Sequence, residues 1–360
     1  MNTKNNIFQS KKDNTKLTFD IINKIFSKSL VVSYSDFVEK VLYDADFGFY
    51  TRKKRPLLSD FITSPLTHPS FGHLLADQIE EVWTHYKKPN DFMIVELGGS
   101  YGNLKSDILS KINASHSEFS KCLKYFNVDV VNKPSLKLPD FQYGCIISNE
   151  FFDSLPFDRF KKINNEIKEI FVKKTSGLST KEIYKNTKKI LFAEKTLKSI
   201  PEGSSFELIN NLSVLCKKIA SLSPNCVMIT IDYGFDSLKF LTKSKPLGTL
   251  RCYKNHNMDS DPLTDIGQKD ITCDVNFPVL NKCLNSVNFN LIGYTTQERF
   301  LYNMGIKKIF EHKTNLKDRQ QIISLMNPVG LGKFKVYFHQ IGKGTFFPSG
   351  CQTNKTFRQN

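Results

Sequence analysis

Short apolar runs that alternate with helical stretches do most to narrow the fold of this 360-residue chain. Phe92–Leu97 ends in glycines and is followed by helically spaced apolar residues over Leu104–Ile112. Tyr125–Val131, Gly144–Ser148, Cys226–Ile231 and Phe334–Ile341 are further strand-like runs, with helical stretches such as Leu208–Ala220 between them. Strands separated by helices are joined by crossovers, so the pattern predicts an α/β fold with a doubly wound, mostly parallel, Rossmann-like sheet.

Other segments frame that core. Residues 1–16 are polar and Lys-rich and read as a loose extension, with no apolar stretch of a secretory signal. Residues 17–90 read as a helical lead-in: Phe19, Ile22, Ile25 and Phe26, then Phe37 and Val41, recur at helical spacing around an extended Val31–Tyr34, with Ser35 and Asp36 as helix N-cap candidates. An aromatic and polar loop, Tyr43–Pro65, interrupts it before a second helical face over Phe71–Tyr86. The sheet domain is expected over 91–346, with a Lys-rich insertion near 161–199 forming a small lobe or hairpin, and a frayed tail over 347–360.

Several function classes are disfavoured. The longest apolar runs fall far short of the roughly 20 residues that span a bilayer. Eight scattered cysteines without a C-x-x-C pair read as reduced thiols in a cytosol-like compartment. That suits a bacterial cytoplasm first, or a mitochondrial matrix in a eukaryote. Lys and Arg number 51 against 35 acids, a net charge of +16. Most of the excess is Lys rather than Arg, and it peaks between Lys161 and Lys198 on a polar segment with few aromatics, whereas base readout leans on Arg and stacking rings, so a solvated surface or an acidic partner is favoured over nucleic acid. The seven histidines lack metal-ligand spacing, and no nucleophile elbow is present. A homo-oligomer is compatible with the sequence.

Three clusters can carry chemistry. Glu96-Leu97-Gly98-Gly99-Ser100-Tyr101-Gly102 lies between a strand and a helix, where small residues admit a ligand to the backbone and the helix offers N–H groups. An acidic residue before the glycines suits an amino-bearing, cationic cofactor better than a pyrophosphate, which points to S-adenosylmethionine; a plain structural turn is the alternative. Asn149-Glu150-Phe151-Phe152-Asp153 follows the next strand, where ligands of open α/β sheets bind. Its carboxylates can grip a guanidinium or cap the following helix. Asp232 and Tyr233 end a third strand on the same edge and either contact ligand or stabilise the turn.

With these in order, the chain resembles the MidA family of S-adenosylmethionine-dependent methyltransferases. The likeness runs from about Ser33 to Gln340. It is carried by Tyr43-Asp44-Ala45-Asp46-Phe47-Gly48-Phe49-Tyr50, Asp60-Phe61-Ile62-Thr63-Ser64-Pro65, Glu96-Leu97-Gly98, Asn149 to Pro156, Asp232-Tyr233-Gly234, Gly248-Thr249-Leu250-Arg251 and Asp270-Ile271-Thr272. The resemblance implies methyl transfer to an arginine of a protein partner, such as a respiratory complex I subunit. It implies that Glu96, Gly98, Gly99 and Gly102 line the cofactor, that the loop with Asp60 and Thr63 covers it, and that Asn149, Glu150 and Asp153 face the acceptor. Asn149 is also a candidate cofactor contact, and Asp129 a candidate for the ribose carboxylate. Asp232 and Tyr233 are candidates on the substrate side.

Two departures from the family pattern stand out: Ser100 replaces a glycine, and the stretch between Asp129 and Asn149 is short. They keep open an alternative in which the fold is retained for binding or assembly without catalysis.

Overall fold

The computed structural model describes residues 16–52, 63–129, 138–187, 189, 199–237, 244–254 and 256–351. The chain forms two compact units. One draws on Met1–Phe61, Asp153–Asn210 and Phe235–Asn276, the other on Ile62–Phe152, Asn211–Gly234 and Phe277–Asn360.

The second unit holds a six-stranded sheet, in the order Asn290–Thr296, Lys335–Ile341, Cys226–Asp232, Gly144–Asn149, Phe92–Leu97, Leu123–Val128. The last four strands in that order are parallel. Lys335–Ile341 is antiparallel to both its neighbours, so one strand alone runs against the others. The expected mostly parallel sheet is present.

It is also doubly wound. Successive strand residues face opposite sides, and Val336 and Phe338 enter the core with Phe300 and Leu301, while Tyr337 between them stacks on Phe277 of the helix Phe277–Asn285 at 4.1 Å between ring centroids. On the first face the helices Ser70–His85 and Asn103–Ala114 bury Leu74, Leu75, Ile79, Val82, Leu104, Ile108 and Ile112 against Phe92, Ile94, Cys145 and Ile147. Gly72 lets those helices approach, since a Cβ there would lie 2.5 Å from the Cβ of Asp107. Burial on both faces explains the near-continuous apolar runs of the inner strands.

The first unit is built on an antiparallel sheet of Val31–Ser33, Glu166–Lys174, Phe157–Ile163 and Ser205–Ile209 in that order, with Thr180–Asn186 also paired to Glu166–Lys174. A smaller sheet joins Asn257–Asp259, Arg251–Lys254 and Asp270–Thr272. Ile21, Ile22 and Ile25 of a helix over 16–25 pack with Phe37, Val41, Phe157, Ile170, Val172 and Ile271. The Lys-rich 161–199 stretch is therefore one part of a larger unit, and the 17–90 stretch is shared between the two units.

Local differences from the sequence reading have physical causes. The extended segment stops at Ser33, whose hydroxyl accepts from the N–H of Asp36, so Ser33 and not Ser35 or Asp36 caps the helix Tyr34–Tyr43. Leu208 lies in the strand Ser205–Ile209, and the helix starts at Leu212. The expected frayed tail is ordered as far as Cys351: Ser349–Cys351 form a 3-10 turn, Gly350 and Cys351 are buried, and the N–H of Gly350 donates to Gln78 Oε1 at 2.9 Å. Residues 352–360 lie outside the described residues.

Candidate active site

Register sets the site. Leu97 pairs with Val128 and Ser148, and Asn149 pairs with Ile231, so the carboxyl ends of four parallel strands finish together. The glycine loop, Asp129, Asn149–Glu150 and Asp232–Tyr233 all leave that edge, where open α/β sheets bind ligands.

The first strand turns out through Gly98 at φ +74°, whose N–H donates to the carbonyl of Val128 at 2.8 Å. Gly102, at φ +80°, precedes the helix Asn103–Ala114, and its N–H donates to the carbonyl of Gly99. Between them Ser100 sits at φ +44°, the left-handed region that favours glycine. Its N–H is held by Asp129 Oδ2 at 2.8 Å. The glycine that Ser100 replaces is thus missing in residue type but not in backbone shape.

Glu96, 3% exposed, lies under the loop. Tyr125 donates its hydroxyl to Glu96 Oε2 at 2.9 Å. Burial pushes the carboxyl of Glu96 up to about 7, Asp129 adds to the rise, and the Tyr125 hydrogen bond and Lys105 oppose it. A Cβ on Gly99 would lie 2.5 Å from Asn127 Oδ1 and 2.6 Å from Glu96 Oε2, so glycine here keeps a cradle open above two acceptor oxygens.

The donor and acceptor balance shows what the cradle takes. Among the described residues, the buried Oδ1 atoms of Asn127 and Asn149 have no hydrogen-bond partner. Orphaned buried acceptors are costly unless a ligand supplies donors. With Glu96 they form an acceptor-rich surface that fits the ammonium and ribose hydroxyls of S-adenosylmethionine, so the residues present fit that cofactor.

On the next strand, Asn149 Nδ2 donates to Glu150 Oε1 at 3.3 Å. Glu150 turns at φ +49° and its N–H donates to the carbonyl of Ile231. Phe151 packs over Gly98, its Cδ2 2.9 Å from where a Cβ would stand. Asp232 is fully buried: Oδ2 accepts from the N–H of Phe152 at 3.1 Å, and Oδ1 from that of Tyr233 at 2.9 Å. Tyr233 meets the ring of Phe334 edge-on.

The structure thus gathers Glu96, Gly98, Gly99, Gly102, Asp129, Asn149, Glu150, Asp232 and Tyr233 at one sheet edge. Asp153 follows Phe152 in the chain but belongs to the first unit, where it is buried and its carbonyl accepts from the N–H of Cys273. Thr63 precedes the short helix Ser64–Thr67, and Asp60 lies outside the described residues. Sequence reasoning missed Tyr125 and Asn127. Alternation along the second strand was the available signal, since Tyr125, Asn127 and Asp129 share one side of it.

A family model of S-adenosyl-L-methionine-dependent methyltransferases matches residues 74–295, more than half of the chain. The chain belongs to this family. It is an S-adenosylmethionine-dependent methyltransferase. Among curated relatives, the mitochondrial protein arginine methyltransferase NDUFAF7 of Xenopus laevis is 26% identical over 85% of this chain and 80% of its own length. The human protein of that name is 25% identical over 91% and 84%. A COG1565 superfamily member from Burkholderia thailandensis, crystallised with S-adenosyl-homocysteine, shares the fold of the methyltransferase at a TM-score of 0.79 and 20% identity, covering 95% of this chain and 96% of that one. No helix among the described residues is long and apolar enough to cross a membrane.

Proposed function

We propose that the methyltransferase acts on an arginine guanidinium of a protein, the activity named for its NDUFAF7 relatives. The observation that carries this reading is an acidic residue beside the cofactor cradle: Glu150, one residue past the strand Gly144–Asn149 that neighbours the strand leading into the glycine loop. When bound, S-adenosylmethionine supplies a methyl group on a positively charged sulfur. Glu96, with Asn127 and Asn149, receives the ammonium and hydroxyl donors of the cofactor. Gly98, Gly99 and Gly102 admit it to the backbone, and Asp129 holds their loop in shape.

Glu150 orients the guanidinium, so that catalysis is largely positioning, and takes up the proton that the methylated nitrogen sheds. Asp232 fixes the backbone of the segment that bears Glu150. A respiratory complex I subunit is the acceptor to try first. The eight free thiols suit a reducing compartment, and the NDUFAF7 relatives are named as mitochondrial.

The test is calorimetric titration of the full chain with S-adenosyl-homocysteine, followed by incubation with methyl-labelled S-adenosylmethionine and a complex I fraction. Micromolar binding and label recovered as methylarginine are expected, with both Glu96→Ala and Asp153→Ala abolishing transfer. Label on lysine, or full activity in both variants, would overturn the assignment.

A further inference from the structure

We infer that the first unit carries a built guanidinium site of three tyrosine rings, two carboxylates and a hydroxyl: Tyr43, Tyr50 and Tyr253 with Asp153, Asp270 and Thr272. This rests on the arginine reading above and names the residues that select that side chain.

Four stretches of chain converge there. Tyr43 and Tyr50 stack at 5.5 Å between centroids and 23° between planes. Tyr50 donates its hydroxyl to Asp270 Oδ1 at 2.8 Å. Tyr43 donates to the carbonyl of Ser154 at 2.9 Å, and Asp153 beside it is tied through its carbonyl to the N–H of Cys273. Tyr253 is the cross-strand partner of Asp270, and Arg251 that of Thr272. Burial first, then Asp270, Tyr43 and Asp153, drive the Tyr50 hydroxyl well above its usual range, so both carboxylates bear on that phenol. The hydroxyl of Tyr253 is raised by burial and by Asp270 and Asp153, against Arg251.

An independent observation points to a ligand. Thr272, 2% exposed, has a buried hydroxyl without a hydrogen-bond partner among the described residues, and it shares a strand face with Asp270 two residues away. An acceptor hydroxyl, carboxylates and flat ring faces are complementary to a planar cation with several N–H donors. A guanidinium can stack on the rings while its edges donate to oxygens, whereas an ammonium matches as a point charge only.

The probe is Nα-acetyl-arginine methylamide, compared with its citrulline and lysine analogues by saturation-transfer NMR on the full chain, with and without S-adenosyl-homocysteine. The citrulline analogue keeps the shape and lacks the charge. Arginine binding at least tenfold tighter than either analogue is expected. Asp270→Asn should weaken it at least tenfold while leaving the calorimetric affinity for S-adenosyl-homocysteine within about twofold; tenfold corresponds to about 1.4 kcal/mol. Equal binding of arginine and citrulline, or an unaffected Asp270→Asn variant, overturns the site. The analogue comparison uses the unsubstituted chain, so it decides even where Asp270→Asn does not fold. Arginine selectivity without any binding of S-adenosyl-homocysteine would uphold this site and sink the methyl-transfer reading instead.

Discussion

Asp129 Oδ2 accepts the backbone N–H of Ser100 at 2.8 Å, tying the end of the second parallel strand to the crest of the glycine loop. The carboxylate thereby holds in place a non-glycine residue at φ +44°. An L-residue in that region costs about 1–2 kcal/mol relative to glycine, part of which returns because glycine also loosens the unfolded chain. Ser100→Gly is expected to raise stability by about 0.5–1 kcal/mol, read as a shift of the urea midpoint at constant slope, with binding of S-adenosyl-homocysteine retained. Asp129→Ala is expected to weaken that binding about tenfold by releasing the loop. A destabilised Ser100→Gly would show that the serine side chain contributes more than its backbone costs.

The second prediction concerns space. At Gly99 a methyl group would meet Asn127 Oδ1 and Glu96 Oε2, both within 2.6 Å. Gly99→Ala should therefore reduce affinity for S-adenosyl-homocysteine at least a hundredfold, at a stability cost of about 1–3 kcal/mol from local crowding. Calorimetry and chemical denaturation on one preparation separate the two effects. Unchanged affinity would mean that Glu96 and Asn127 do not line the cradle.

How much of this was legible follows from what is contiguous. Glu96 and the glycine loop stand in one run of seven residues and could be read directly. The inner strands could be found because both of their faces are buried, which makes them apolar throughout. Asn290–Thr296 was missed because it is an edge strand, largely half-exposed, and presents no apolar run. The strands of the first unit were hidden by Lys161, Lys168, Lys173 and Lys185, whose charged ends are compatible with a strand that has one wet face. The bonds from Tyr125 to Glu96 and from Asp129 to Ser100 depend on parallel register, which no local pattern carries.

Glu96 makes the protein pH-sensitive in two opposite ways. The unfolded carboxyl titrates near about 4.3, and burial moves it to about 7 in the fold. Between those values the native chain keeps a proton that the unfolded chain has lost. Stability of the ligand-free protein therefore falls as pH rises through this window, by up to about 1.4 kcal/mol per pH unit, and levels off above it. Cofactor binding is expected to have the opposite slope, because the ammonium proposed to sit on Glu96 prefers the ionised carboxylate. Affinity for S-adenosyl-homocysteine should be several-fold tighter at pH 8 than at pH 6, and Glu96→Gln should be weak and flat across that range. Calorimetry at the two pH values checks both; equal wild-type affinities would remove the ammonium contact from Glu96.

Asp232 offers the last prediction. Sequence reading left it between ligand contact and turn stabiliser, and its two oxygens accept from the N–H groups of Phe152 and Tyr233. In Asp232→Asn one of those N–H groups would face an NH2 donor instead of an acceptor, in a fully buried setting. Leaving a buried donor unsatisfied costs about 1–3 kcal/mol, and the loss should appear in full as a lowered denaturation midpoint. The Asn149–Phe152 turn would relax, so kcat for methyl transfer should fall by at least tenfold, while affinity for S-adenosyl-homocysteine, which the proposed site assigns to Glu96 and the glycine loop, should change by less than about threefold. A variant with normal stability and normal kcat would mean that the turn is held by the N–H of Glu150 on Ile231 alone.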